Sequence, residues 1–351
     1  MDFLAEYDIE KLESIISKAG RITLLTHSKP DGDAIGSTTG LMHYLSGRGK
    51  DVMIVIPNAA QGILGFIMDT TRTINAGEEP QAAAERIAAS DTLFCLDFNA
   101  SSRIDSVEPH LLASKAVKVL IDHHLHPQSE LYDLVFSKPD ISSTCELVFN
   151  ILKAMGDVAG DASRLGNECL TPLMTGMTTD TNNFANSVYP STLEMASELL
   201  AAGVDRDDIL FHLYNEYPER RLRALGYLLS RKMTITPDGV AYMILEAWEL
   251  EQFGLLDGET EGFVNQPLAI DKVKASIFLK EDDGKFRVSI RSKRGFSAYR
   301  LAAAHFNGGG HEMASGGKLV IGVDIPDKAS AASYIEQVTA RFVQQEQKLE
   351  K

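Results

Sequence analysis

Short apolar runs recur through the first part of the chain, and each is followed by a stretch in which apolar positions return with the period of a helix. Four of these runs predict buried strands: residues 22–26, 52–56, 92–96 and 117–121. Strands that are apolar on both faces and alternate with helices form mostly parallel sheets with helices packed on them. The first part of the chain is therefore predicted to be an α/β domain with a mostly parallel sheet and flanking helices.

Helical spacing is clear on both sides of the first predicted strand. Residues 9–19 repeat apolar side chains at helical intervals, and Gly20 then fits a helix stop. Residues 34–45 predict a second helix, in which Gly36 and Gly40 are expected to pack closely against the strand. Four further helices are predicted at residues 144–155, 165–179, 193–202 and 207–214.

The pattern changes after a charged helical stretch at residues 218–232. Beyond it, alternation of apolar and polar residues predicts strands at residues 240–246, 273–281, 286–292 and 318–321, with a hairpin turn at residues 282–284 and helices at 297–306 and the end of the chain. We therefore predict a catalytic domain at residues 1–217, a helical linker at 218–232 and a smaller α/β domain at 233–351. The active site is expected in the cleft between the two domains.

Composition narrows the class of protein. With 351 residues the chain exceeds one typical hydrophobic core, which agrees with two domains. Its 49 acidic and 34 basic residues give a net charge of −15, which disfavours binding to long duplex nucleic acid. Neither a membrane span nor a signal-peptide pattern is evident, and the three cysteines lack metal-type spacing. We expect a cytoplasmic protein without a membrane partner.

Acidic residues and histidines follow the predicted strands where the strands end, or lie in loops beside helices. Because the carboxyl ends of parallel strands share one edge of a sheet, we expect these side chains to converge in one crevice. Four or more carboxylates at such close range repel one another unless divalent cations lie among them, which predicts a two-metal hydrolase. The candidates are His27, Asp31, Asp33, Asp97, Asp122, His123, His124 and Asp180.

Several of these candidates, taken alone, also have a structural interpretation. Asp33 could cap the helix that follows it, Asp180 could be a helix cap, and Asp97 could cap the next segment instead of bridging two cations. The neighbouring His123 and His124 point in different directions. One of them is therefore expected to bind metal while the other contacts the substrate.

Arginine and glycine residues supply candidates for phosphate binding. Arg103 could neutralise a substrate phosphate or pair with an acidic residue. A run of three glycines precedes His311, and the backbone N–H groups of Gly309 and Gly310 could approach a phosphate closely. Arg291 lies on the preceding predicted strand and is a candidate partner for the same phosphate. A flexible connector is the alternative interpretation of the glycine run.

Five motifs occur in one order along the chain: HSKPDGDAIGS (27–37), LDFNASSRI (96–104), IDHH (121–124), TGMTTDTNNF (175–184) and FNGGGHEMASGG (306–317). In these motifs the chain resembles the DHH phosphoesterase superfamily with its C-terminal DHH-associated domain, in the NrnA-like branch of nanoRNases and pAp phosphatases. The superfamily also includes RecJ exonucleases and the cyclic-di-AMP phosphodiesterases of the GdpP and DhhP types. The resemblance covers most of the chain.

The resemblance implies a role for each candidate. One Mn²⁺ ion would be held by His27 and Asp31, and the other by Asp33, His123 and Asp180. Asp97 would bridge the two ions. Asp122 would orient a histidine, and His124 would lie at the substrate phosphate. The substrate would be bound by Arg103, Arg291, Gly309, Gly310 and His311. Mg²⁺ or Co²⁺ could replace Mn²⁺ at ligands of this kind.

The function implied is hydrolysis of phosphoric esters by in-line attack of a water that bridges the metals. Substrates would be short RNA oligonucleotides or linear dinucleotides, cleaved to nucleoside monophosphates, and 3′-phosphoadenosine 5′-phosphate, cleaved to AMP. The alternatives are a cyclic-di-AMP phosphodiesterase, an exopolyphosphatase-like enzyme and a nucleotide-binding protein without catalysis. Family II pyrophosphatases share four of the motifs but have a different second domain. A homodimer is possible, since it is the commonest oligomeric state of soluble proteins that assemble.

Overall fold

A computed structural model describes residues 6–256 and 258–349. The chain divides into two compact units, the first ending at Glu216 and the second beginning at Tyr217. Each unit contains one six-stranded sheet. Within the described residues, no helix has both the length and the apolar character needed to cross a membrane.

All strand pairs in the first sheet are parallel, and the strand order is β3-β2-β1-β4-β5-β6. The strands are β1 (Arg21–Leu25), β2 (Asp51–Ile56), β3 (Thr73–Asn75), β4 (Thr92–Leu96), β5 (Val117–Asp122) and β6 (Leu134–Ser137). The predicted parallel sheet is therefore confirmed. The direction of strand addition reverses between β1 and β4, and in sheets of this kind a crevice forms at the carboxyl ends of the strands at that point.

Helices cover both faces of this sheet. They are α1 (Glu6–Lys18), α2 (Gly32–Gly47), α3 (Pro80–Ala88), α4 (Glu108–Ala113), α5 (Thr144–Ala154), α6 (Asn167–Asp180), α7 (Pro190–Ala201) and α8 (Arg206–Leu210). The larger core lies under α1, α2, α5 and α6, and the smaller core lies on the opposite face under α3 and α4. Strands β3 and β6 were not predicted, because runs of three and four residues carry little periodic signal.

Helix α2 packs on helix α6 more closely than side chains normally allow. A Cβ atom at Gly36 would lie 2.4 Å from the carbonyl oxygen of Pro172, and one at Gly40 would lie 2.7 Å from the Leu173 side chain. The expectation that these glycines face the first strand is therefore wrong, since they make room for α6. The start of α2 consequently lies beside the end of α6, where Gly32 adjoins Thr179.

The second unit has a mixed sheet in the order β11-β12-β10-β9-β8-β7, in which only the β8–β9 pair is parallel. Its elements are α9 (Glu219–Tyr227), β7 (Thr234–Ile235), β8 (Val240–Leu245), α10 (Ala247–Phe253), β9 (Ala275–Asp282), β10 (Lys285–Ser292), α11 (Ala298–His305), β11 (Gly309–Gly310), β12 (Ala314–Val320) and α12 (Ser330–Leu349). The predicted smaller α/β domain is confirmed, and a core of its own lies between the sheet, α11 and α12.

Helix α9 lies within the stretch that was predicted as a linker. Its Ala224, and Leu228 in the turn that follows, are fully buried against Met243 and Phe278 of the second sheet. These contacts pack α9 against the second sheet.

We predict that Gly36→Ala lowers the free energy of unfolding by about 1–3 kcal/mol, because the added methyl group would collide with a backbone carbonyl that cannot swing away. Urea denaturation measures the change. Gly47→Ala is a matched control at the last residue of α2, where nothing lies within 4 Å of the added atom. That variant should be neutral or stabilised by up to about 1 kcal/mol through helix propensity. Equal stability of the two variants would contradict the close packing of α2 on α6.

Candidate metal centre

Three neighbouring strands deliver the candidate ligands to one edge of the first sheet. His27 lies two residues beyond the end of β1, and Asp97 follows β4 directly. Asp122 is the last residue of β5, and His123 and His124 come next. Since β1, β4 and β5 are adjacent and parallel, their carboxyl ends meet at the point where the strand order reverses.

Two helix ends bring the remaining carboxylates to the same place. Asp31 caps the N-terminus of α2 by accepting hydrogen bonds from the backbone N–H groups of Asp33 and Ala34. The cap is thus Asp31, and the alternative that Asp33 caps this helix is wrong. Asp180 is the last residue of α6, whose C-terminal end adjoins the start of α2.

The first ligand group surrounds His27. Its Nε2 lies 3.7 Å from Asp31 Oδ1 and 3.4 Å from Asp97 Oδ2. Atoms that bind one ion at about 2.1 Å lie roughly 3.0–3.4 Å apart, so these three side chains need little movement to enclose a cation. His27 and Asp97 are buried, whereas Asp31 is half-exposed.

The second ligand group surrounds His123. Its Nε2 lies 3.9 Å from Asp33 Oδ2, 3.7 Å from Asp97 Oδ1 and 3.5 Å from Asp180 Oδ2. Asp97 belongs to both groups, with Oδ2 on the side of His27 and Oδ1 on the side of His123. The donor set of imidazole nitrogens and carboxylate oxygens fits two divalent cations that share Asp97.

Crowding of the carboxylates raises the pKa of two of them. Burial, followed by the charges of Asp97 and Asp180, raises the pKa of Asp33 well above its ordinary value. Burial, together with the charges of Asp31 and Asp97, raises the pKa of Asp180 to about 7. Without cations, protons therefore offset part of the negative charge at this site.

The pKa values of the two central histidines are raised as well, because the surrounding carboxylates favour the charged imidazolium form. Burial alone would lower the pKa of His27, but hydrogen bonding to Asp31 and Asp97 and the charges of both outweigh it and raise the pKa to about 10. In the same way, the surrounding aspartates overcome the burial of His123 and raise its pKa to about 9. Both imidazoles hold a proton at neutral pH in the absence of metal.

Helix α5 holds two of the candidate ligands with its first residues. The backbone N–H groups of Thr144 and Cys145 donate to the two carboxylate oxygens of Asp33 over 2.7 and 2.8 Å. The Thr144 hydroxyl donates to Asp97 Oδ1 over 3.0 Å. These contacts were not predicted. Ser143 three residues before Glu146 marks the start of a helix in the sequence, but such a signal does not show which side chains that helix end meets.

His124 lies between Asp122 and Arg103. Its Nδ1 is 2.8 Å from Asp122 Oδ1, and its Nε2 is 3.0 Å from Arg103 Nη1. Arginine can only donate, so Nε2 accepts and Nδ1 carries the proton that is donated to Asp122. Asp122 therefore orients this histidine, and Arg103 is placed with the other candidates of the first unit.

The other candidates for substrate binding lie in the second unit. Arg291 is half-buried on β10 and donates to the carbonyl oxygen of Ile290. Gly309 and Gly310 form strand β11, which pairs with β12, and His311 follows them in the exposed turn. The glycine run is thus part of a hairpin, and the alternative of a flexible connector is wrong.

Steric demands explain the glycines of this hairpin. A Cβ atom at Gly308 would lie 1.9 Å from the carbonyl oxygen of Gly316, and one at Gly310 would lie 2.7 Å from that of Ala314. Gly310 also has φ of +140°, which other residues rarely adopt. Close approach of the two strands therefore requires glycine whether or not a phosphate binds here.

Two family descriptions match the chain, one for each unit. The DHH family, N-terminal domain, matches residues 21–177, and the DHHA1 domain matches residues 239–336. A Thermus thermophilus protein named bifunctional oligoribonuclease and PAP phosphatase NrnA is 30% identical over 309 residues, which cover 86% of this chain and 84% of that protein.

Two further similarities involve proteins with other descriptions. The crystal structure of an exopolyphosphatase-related protein from Bacteroides fragilis has 37% identity and a TM-score of 0.91, with 99% of each chain covered. The cyclic-di-AMP phosphodiesterase PdeA of Listeria monocytogenes is 25% identical over 86% of this chain, which corresponds to 45% of that protein.

We predict that Mn²⁺ binding releases about two protons or more per chain at neutral pH, because His27 and His123 must lose their protons before they can bind metal and Asp33 and Asp180 give up the protons that they hold. Calorimetric titration in buffers with different ionisation enthalpies counts the protons. The variant His27→Ala should release about one proton fewer. A binding enthalpy that does not depend on the buffer would contradict these protonation states.

Proposed function

We propose that this chain, which belongs to the DHH family of phosphoesterases, hydrolyses short RNA oligonucleotides, linear dinucleotides and 3′-phosphoadenosine 5′-phosphate. Membership makes the chain a metal-dependent hydrolase of phosphoric esters. The substrates, the preference for Mn²⁺ and a cytoplasmic place of action are our proposal. The support for these substrates is the similarity to the Thermus thermophilus protein over most of both chains.

The observation that carries the proposal is that two ligand groups share Asp97. We assign His27 and Asp31 to one Mn²⁺, and Asp33, His123 and Asp180 to the other. A metal pair of this kind activates water and neutralises the charge of the phosphate that is attacked. Within the protein, Asp97 fixes the spacing of the two groups, because each of its carboxylate oxygens faces one of them.

Arg103 and His124 are our candidates for the residues that contact the scissile phosphate. The guanidinium group of Arg103 can donate two parallel hydrogen bonds to phosphate oxygens. The hydrogen bond from His124 to Asp122 fixes the ring so that its Nε2 points toward Arg103. When Arg103 turns to a phosphate, Nε2 becomes available to the substrate.

In the second unit we propose that Arg291, Gly309, Gly310 and His311 bind the terminal phosphate or nucleotide. Arg291 lies opposite Ala314 in the β10–β12 ladder, close to the register of the glycine hairpin. An arginine beside a turn that carries a histidine supplies the charge and the donors that phosphate recognition uses.

Two alternative activities each have an observation in their favour. Similarity to the Listeria monocytogenes protein favours cleavage of cyclic-di-AMP, although this chain spans less than half of that protein. Similarity to the Bacteroides fragilis structure favours an exopolyphosphatase-like activity. Both reactions would use the same metal centre, so the alternatives concern the substrate.

A Mn²⁺-dependent turnover panel tests the proposal directly. The panel contains pApA, a short RNA, 3′-phosphoadenosine 5′-phosphate, cyclic-di-AMP, polyphosphate and pyrophosphate. We expect hydrolysis of the first three substrates with little turnover of the others. Preference for cyclic-di-AMP or polyphosphate would favour the corresponding alternative, and binding without any turnover would favour a nucleotide-binding protein.

We predict that Asp97→Ala lowers kcat on the order of 10³-fold or more, because the bridging carboxylate serves both cations. Asp97→Asn should behave alike, and it suits the backbone better because φ is +66°, where asparagine is tolerated. Circular dichroism should show an intact fold in the asparagine variant. Wild-type turnover in either variant would overturn the two-metal assignment.

We predict that Arg291→Ala raises KM about tenfold to a hundredfold for substrates with a terminal phosphate, because a charge-assisted hydrogen bond is lost. Steady-state kinetics with pApA and with ApA, which lacks the phosphate, separate this effect from a general one. The control Arg294→Ala removes the same charge from an exposed loop position. If Arg291→Ala left every substrate unaffected, its role in binding phosphate would be wrong.

A further inference from the structure

Thr144 contacts two of the three carboxylates that face the His123 side of the metal centre. It is the first residue of α5 and is fully buried. Its backbone N–H donates to Asp33 Oδ2, and its hydroxyl donates to Asp97 Oδ1. One residue therefore links two of the candidate ligands from outside the set.

The orientation of the Asp97 carboxylate decides which of its two oxygens faces each ligand group. Its backbone is in the left-handed region and is held by a hydrogen bond from the Asp97 N–H to the carbonyl oxygen of Ile121 on β5. The side chain can still rotate about its last bond, since that torsion has a broad energy minimum. The Thr144 hydroxyl donates to Oδ1, whereas His27 lies on the side of Oδ2, so the two ends of the carboxylate have different partners.

We propose that Thr144 is a positioning residue that orients Asp97 Oδ1 and thereby sets the affinity of the ion assigned to Asp33, His123 and Asp180. The inference rests on the two-metal centre proposed above. It concerns a side chain that would touch neither the metal nor the substrate.

The proposal predicts an effect on one ion more than on the other. Oδ1 faces His123, whereas Oδ2 faces His27. Without the hydroxyl, repulsion from Asp33 and Asp180 would act on an Oδ1 that no longer has a fixed donor. Loss of such an orienting hydrogen bond lowers metal affinity on the order of 10- to 100-fold. The ion assigned to His27 and Asp31 would be affected less, because these two ligands do not contact the Thr144 hydroxyl.

Three substitutions separate positioning from packing. Thr144→Val keeps the shape and the backbone N–H but removes the hydroxyl, whereas Thr144→Ser keeps the hydroxyl and removes the methyl group. Thr339→Val is the matched control, because it removes a buried hydroxyl that bonds to the Ile335 carbonyl within α12 of the second unit. Urea denaturation of the metal-free proteins checks that each variant folds.

The measurement is calorimetric titration of the metal-free full chain with Mn²⁺, with electron paramagnetic resonance to count the free ion. For Thr144→Val we expect one of the two binding steps to lose about 10- to 100-fold in affinity while the other changes less. Thr144→Ser and Thr339→Val should match the wild type. The Mn²⁺ concentration for half-maximal hydrolysis of pApA should rise in parallel, while KM at saturating Mn²⁺ stays unchanged.

Each other outcome has one meaning. If the wild type binds two ions and Thr144→Val binds them equally well, the positioning role is wrong while the two-metal centre stands. If Thr144→Ser loses Mn²⁺ affinity and Thr144→Val does not, Thr144 acts through packing, and the inference is also overturned. If the wild type itself does not bind two ions, the proposed metal centre fails, and this inference fails with it.

Discussion

Four aspartates crowd into one small volume at the edge of a parallel sheet, and their mutual repulsion is the constraint on which the rest of the first unit depends. Asp33 and Asp97 are both buried, and each lies within 4 Å of the same imidazole nitrogen of His123. Charged groups this close and this dry are stable only if cations or protons offset them. In the metal-free protein, protons offset the negative charge, and the raised pKa values of Asp33, Asp180 and His123 reflect this. Two bound cations would replace these protons.

The fold meets this constraint with backbone groups as well as side chains. The N-terminus of α5 directs two N–H groups to Asp33, and the N-terminus of α2 directs two to Asp31. Helix N-termini carry partial positive charge, so they hold both carboxylates at fixed positions, although for Asp33 burial and the neighbouring charges still raise the pKa. The glycine contacts between α2 and α6 also position a carboxylate, because they bring Asp180, at the end of α6, beside the start of α2.

The sequence predicted the parts of this arrangement that local patterns determine. Periodicity predicted four of the six strands of the first sheet, and the position of Asp97 after an apolar run predicted its place at the sheet edge. Contacts between distant elements carry no such local signal. Nothing in the sequence shows that Thr144 donates to Asp97, which lies 47 residues earlier, or that Gly36 faces Pro172 rather than β1. The glycine run before His311 was open to two interpretations, since flexibility and close packing both favour glycine.

Substrate choice has to come from features other than the overall architecture. Relatives named for oligoribonucleotides and for cyclic-di-AMP each match 86% of this chain, so the two-domain plan is compatible with both. A metal pair acts on the phosphate group that all these substrates share, and it cannot by itself distinguish a linear from a cyclic dinucleotide. A terminal phosphate, which cyclic-di-AMP lacks, is the chemical difference that a cation could detect, and Arg291 is the residue that we propose for this role. In a chain with net charge −15, few cations are available to follow a long polyanion, which favours recognition of a short one by its end.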